Sequence, residues 1–82
     1  MEVVLTAKQT TNPYEDLANA IILTAVADYR KVLRSLKRKP RNKAQQAEKE
    51  SLEQFFRGSW YKTLTSVDGE YLIKKLQEEN IS

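Results

Sequence analysis

Eight basic residues, Arg30, Lys31, Arg34, Lys37, Arg38, Lys39, Arg41 and Lys43, stand close together with no acid among them. This segment carries +8 in a chain of net charge +3, so the remainder is mildly acidic at −5. Guanidinium and ammonium groups at that density recognise phosphates or carboxylates and raise the local concentration of anionic partners. They do no proton chemistry at neutral pH. Asp68-Gly69-Glu70 is the second suggestive set. Paired carboxylates are the minimum for acid–base work or for a hard cation. The spacing does not fit a calcium loop, and no further ligands follow. Acids in the first turn of a helix are favourable there on electrostatic grounds, and that is the reading adopted.

The chain has no cysteine and no histidine. Disulfides, thiolate metal sites and a cysteine nucleophile are excluded. The usual zinc ligands and the usual general base near neutral pH are missing too. The two glycines, Gly58 and Gly69, are too far apart for a phosphate-cradling loop. No cofactor and no metal are expected, and a binding protein is expected in preference to an enzyme. Asp28 reads as a partner for Lys31 or for a neighbouring helix.

Five of the seven aromatic residues, Phe55, Phe56, Trp60, Tyr61 and Tyr71, sit in one short stretch beside Arg57 and Lys62. Such a set can stack on bases or anchor a protein interface. A small domain also needs large side chains to close its core. Phe55 and Trp60 are expected inside, with Phe56 and Tyr61 exposed as possible contacts.

These side chains must be positioned by helices. Apolar residues recur at Ala18, Ile22, Ala25, Tyr29, Val32 and Leu36, alternately four and three apart, with Leu17, Ile21, Val26 and Leu33 widening the stripe. Asn12, Pro13 and Glu15 make a helix start, and Pro40 forces a stop. Helix 1 is therefore predicted over about residues 13–38. Asn42 caps helix 2, over about 43–57, with an apolar face of Ala44, Ala47, Leu52, Phe55 and Phe56 that ends at Gly58. A short turn lies near 60–64. Helix 3 covers about 66–79, capped by Thr65, with Leu72, Ile73 and Leu76 on one face and Gly69 in its middle. A glycine there lets another backbone approach closely. The predicted fold is all-α: a three-helix arrangement with helices 1 and 2 antiparallel across the short 39–42 link. Residues 12–82 form one helical domain. Residues 1–11 are an arm in which Val3, Val4 and Leu5 form a short strand, pack or fray. On helix 1, Arg30, Lys31, Arg34, Lys37 and Arg38 share an arc of roughly 120° opposite the apolar stripe. Arg41 and Lys43 carry it around the turn.

The longest apolar run, residues 20–23, is far too short to span a membrane, and the N-terminus lacks the pattern of a secretory signal. A cytoplasmic protein is expected.

The stretch FFRGSWYKTLTSVDGEYLI, residues 55–73, with AVADYRKVLRSLKRKPRNK upstream, resembles small uncharacterised proteins of bacteriophages and integrated mobile elements of Gram-positive bacteria. The resemblance rests on Asp28-Tyr29-Arg30, Phe55-Phe56-Arg57, Trp60, Leu64-Thr65 and Asp68-Gly69-Glu70-Tyr71-Leu72-Ile73. It covers roughly residues 18–79. Gly58 departs from it, standing where a serine is expected, which implies a sharper break after helix 2. The resemblance carries no activity and no site residue. It implies a setting, a bacterial host cell, in which short accessory proteins bind and block host machinery, anti-CRISPR and other anti-defence inhibitors among them. An acidic DNA mimic is disfavoured by the +8 segment.

Two expectations follow. In the first, the basic face docks an acidic protein surface of a host nucleic-acid-handling complex, and the protein regulates or inhibits it. In the second, the same face follows the phosphates of a nucleic acid. A homodimer through the remaining apolar face of helix 1 is a third possibility.

Overall fold

The computed structural model describes residues 13–81. The expected N-terminal arm and the Asn12 cap lie outside them. Within them the chain is all-helical, as four helices in the order α1 (Pro13–Arg38), α2 (Lys43–Arg57), α3 (Ser59–Leu64) and α4 (Gly69–Ile81).

Helix α1 begins with Pro13 at its first position and Glu15 and Asp16 in its first turn, and it ends on Lys37 and Arg38. That distribution of charge complements the helix dipole at both ends. Asn42 caps α2: its side-chain oxygen accepts the backbone N–H of Gln45 at 3.1 Å. The amide of Gln46 reaches back to the carbonyl of Pro40 at 2.7 Å and fastens the turn. Gly58 closes α2 by donating its backbone N–H to Phe55. Its backbone is extended, with φ of −80°, so the position makes no demand for left-handed geometry.

The structure revises two features of the three-helix expectation. The 60–64 turn is a six-residue α-helix, Ser59–Leu64. The last helix starts at Gly69 and not near residue 66. Thr65 is not its cap. The Thr65 hydroxyl accepts the N–H of Val67 inside the turn. Asp68 is the cap, its side chain accepting from Glu70 and its carbonyl from Leu72. The cause is the close approach of α4 to α2. A Cβ on Gly69 would lie 2.0 Å from the Phe56 carbonyl oxygen. The turn must therefore run on until the glycine reaches that crossing, where the helix can begin.

Val32 and Ser35 share a hollow with Gln45 and Glu48, while Tyr29 meets Glu53 and Phe56. Helix α2 thus runs back along α1. Helix α4 lies along the other flank, where Tyr29, Arg30 and Leu33 bond Gln77, Glu79 and Asn80. The core gathers Ala25, Val26, Tyr29 and Leu33 of α1 with Phe56, Tyr61, Ile73 and Leu76. Leu17, expected on the apolar stripe, is exposed, as are Ala44 and Ala47 of α2. They precede the stretches of their helices that supply this core. Among the described residues no helix is long and apolar enough to cross a membrane.

Candidate functional site

All eight residues of the basic run are exposed. Helix α1 supplies the first five, and their neighbours differ. Arg30 donates through Nε to Glu79 Oε1 at 2.9 Å and through Nη2 to Glu79 Oε2 at 3.1 Å. This two-point fit matches a planar guanidinium to a carboxylate. It holds the arginine above and the glutamate below their ordinary ionisation ranges. Lys37 Nζ donates to the carbonyl of Asn80 at 2.7 Å, close to the end of α4 where helix carbonyls lack partners. Arg34 and Arg38 lie on the same wall, and neither pairs with an acid among the described residues.

These four basic side chains and the C-terminal part of α4 enclose an open groove of about 420 Å³. Its floor is Leu33 and Leu76, and its far wall is Glu79 and Asn80. Lys31 faces away from it, over a separate hollow between α1 and α2 that also holds Asp28 and Glu48. Asp28 forms no ion pair with Lys31 or with any other described residue. The stripe read from the sequence is therefore parted along the ridge of α1. Lys39, Arg41 and Lys43 extend it, exposed, around the turn. Sequence reasoning missed Glu79 and Asn80 as the opposite wall. They stand more than 40 residues from their partners, and nothing local marks them.

The aromatic expectation is reversed at three positions. Phe56 and Tyr61, expected as exposed contacts, are buried at 1% exposure each, and Trp60, expected in the core, is 58% exposed. Phe56 stands edge-to-face between Tyr29 and Tyr61, each 5.7 Å away. Phe55 is half-buried and holds Trp60 from beneath at 5.7 Å. The break at Gly58 resets the helical phase. A face projected from α2 cannot be carried into α3, so Tyr61 turns inward in place of Trp60. The Tyr61 hydroxyl is buried without a hydrogen-bond partner. Burial and the charge of Asp68 push its ionisation upward.

Asp68 and Glu70 have separate structural tasks. Asp68 caps α4, and Glu70 forms an ion pair with Arg57 at the end of α2. Among the described residues no group of acids is gathered as a metal site. One polar network was not foreseen. The Tyr29 hydroxyl donates to Glu53 Oε2 at 2.6 Å and accepts from Gln77 Nε2 at 3.0 Å. Lys49 donates to the same Glu53 oxygen at 2.7 Å, and Arg57 stands 3.7 Å from the other. Burial, then the bond to Glu53, pushes the Tyr29 hydroxyl far up. Burial alone would raise Glu53, but hydrogen bonds from Lys49 and Tyr29 and the charges of Lys49 and Arg57 leave it below the usual carboxylate range. The network joins α1, α2 and α4 through the interior. Of its members only Arg57 lines one of the three clefts described for the molecule.

No protein-family model matches the chain, and neither a curated protein nor a solved structure matches it.

Proposed function

We propose that this is a non-enzymatic binding protein of a phage or mobile element, acting in the bacterial cytoplasm as a regulator or inhibitor of a host nucleic-acid-handling complex. The resemblance carried by the 55–73 stretch suggests the setting, an anti-CRISPR or other anti-defence role being one form it takes. The observation that carries the binding reading is the state of the basic face. All eight cations are exposed, and seven of them, Lys31, Arg34, Lys37, Arg38, Lys39, Arg41 and Lys43, have no acidic partner among the described residues. A face that served only to stabilise the fold would neutralise more of this charge internally. The partner is an anionic surface, in the first place an acidic protein surface.

Affinity purification from host lysate, with and without nuclease, tests this. A stoichiometric protein retained after nuclease treatment and lost with Arg34→Glu and Arg38→Glu is the expected result. Nuclease-sensitive recovery would point instead to the second reading, a nucleic-acid-binding accessory protein. The run of exposed cations through the turn, Lys39, Arg41 and Lys43, favours that reading. Recovery of no partner, or of one indifferent to the two charge reversals, would sink both.

A further inference from the structure

The groove between α1 and α4 already holds a carboxylate, and the way it does so indicates what else it takes. Arg30 grips Glu79 through two parallel hydrogen bonds at 2.9 and 3.1 Å. Arg34 and Arg38 follow on the same helix at successive intervals of four residues, about 6 Å apart along the axis. Both line the groove, both are exposed, and neither has an acid among the described residues. Three guanidinium groups therefore stand in a row, the first filled from within the chain.

We infer that Arg34 and Arg38 form a carboxylate-docking slot for two acidic side chains one turn apart on a helix of a protein partner, with Glu79 marking the geometry in cis. The inference rests on the basic-face reading and specifies its ligand. Glutamates at i and i+4 lie on one helix face at the same rise as the two arginines. Arginine forks reward this planar, two-point fit, whereas a point charge such as lysine does not. The far wall argues for a discrete acidic segment over a long polyanion. Glu79 bounds the groove on the α4 side. A nucleic-acid backbone laid across the groove would meet that carboxylate. A helix lying along it would meet the arginines, and the edges of Leu33 and Leu76 would receive its apolar flank.

The test uses fluorescence anisotropy at near-physiological salt with three probes. The first is an alanine-based helical peptide with glutamates at i and i+4. The second is the same peptide with those glutamates at i and i+2, on opposite faces. The third is an oligothymidine of similar length. The i,i+4 peptide is expected to bind about tenfold more tightly than the i,i+2 peptide, a difference of one good charged contact. The double variant Arg34→Lys with Arg38→Lys, which keeps the charge and the fold, is expected to abolish that preference. Equal affinity for the two peptides, or a preference that survives both lysines, overturns the slot. Tighter binding of oligothymidine that still needs charge at positions 34 and 38 overturns the slot but leaves the basic face standing. Binding of every probe unchanged by Arg34→Glu and Arg38→Glu removes the face as well.

Discussion

The hydroxyl of Tyr29 donates a 2.6 Å hydrogen bond to the carboxylate of Glu53, joining the middle of α1 to the end of α2 in the interior. Tyr29 is fully buried and Glu53 is 8% exposed, so water is a poor substitute partner for the pair. Gln77 closes the link to α4. Removing one member of such a network orphans the others, which costs more than the bond itself contributes. Tyr29→Phe is expected to cost about 1–2 kcal/mol, since Glu53 keeps Lys49. Glu53→Ala leaves the tyrosine hydroxyl buried without its acceptor and is expected to cost about 2–3 kcal/mol. Urea unfolding of the two variants checks the order. A larger loss for Tyr29→Phe would contradict it.

The same network, together with the buried Tyr61 hydroxyl, is expected to shape the pH dependence of stability. Glu53 has a folded ionisation range below its ordinary 4.5. Its contribution is present above that value and is lost as pH falls through the folded one. Tyr29 and Tyr61 are raised above 10.0. Their contribution is intact below pH 10.0 and is lost as pH rises beyond it. Stability should therefore decline at both ends with a plateau between. Glu53→Gln should flatten the acid limb, and Tyr29→Phe should soften the alkaline one. Unfolding free energies measured across pH decide this. An unchanged acid limb in Glu53→Gln would show that other carboxylates set it.

Gly69 is the glycine the fold cannot replace. A Cβ at that position would meet the carbonyl oxygen of Phe56 at 2.0 Å and its carbon at 2.9 Å, both backbone atoms. The helices must separate to admit a methyl group. Gly69→Ala is expected to destabilise by about 2–4 kcal/mol, as overpacking against an unyielding neighbour does. At Gly58 the nearest atom is 3.1 Å away and the backbone is extended. Gly58→Ser is expected to cost under about 1 kcal/mol. Comparable losses at the two sites would show that the α2–α4 crossing is looser than described.

Trp60 is the single tryptophan, and it projects 58% into solvent from the rim of the core. Its fluorescence should be red-shifted and accessible to a polar quencher in the native state. Trp60→Ala should cost less than about 1.5 kcal/mol, because the ring is more than half exposed and its ring contact is an edge-to-face one with Phe55. Phe56→Ala should cost about 3–5 kcal/mol, since that ring is buried between two tyrosines. A blue-shifted, protected tryptophan would contradict the placement.

What the sequence revealed and what it hid divide along one physical line. Signals that act within a turn of themselves were readable. Pro13 opened α1, Pro40 with Asn42 made the link, and Gly58 ended α2. The need for close approach at Gly69 was also readable, because a glycine in mid-face has few other uses. Signals that depend on a second element were hidden. Thr65 and Asp68 are both good caps, and only the crossing with Phe56 chooses between them. Which of Phe55, Phe56, Trp60 and Tyr61 turn inward depends on packing against Tyr29 of α1 and on the break at Gly58, which residue type alone does not decide. The basic residues were legible as a set of exposed side chains, but not as a groove. Its opposite wall, Glu79 and Asn80, comes from the far end of the chain.

That wall gives the last prediction. Glu79 occupies Arg30 at the mouth of the groove, and its side chain is half-exposed, so the pair is easily exchanged with solvent or with a ligand. Glu79→Gln removes a negative charge from the groove and frees the guanidinium of Arg30 from its cis carboxylate. Helicity and unfolding midpoint should change little, because an exposed pair adds little to stability. Affinity for an acidic helical peptide should rise by roughly threefold to tenfold, and its salt dependence should steepen, since one more cation is open to the ligand. Arg30→Ala in the same background should cancel the gain. Affinity that stays level in Glu79→Gln would place Arg30 outside the binding face. A fall would mean that Glu79 itself contacts the partner, through a basic residue on the partner's side.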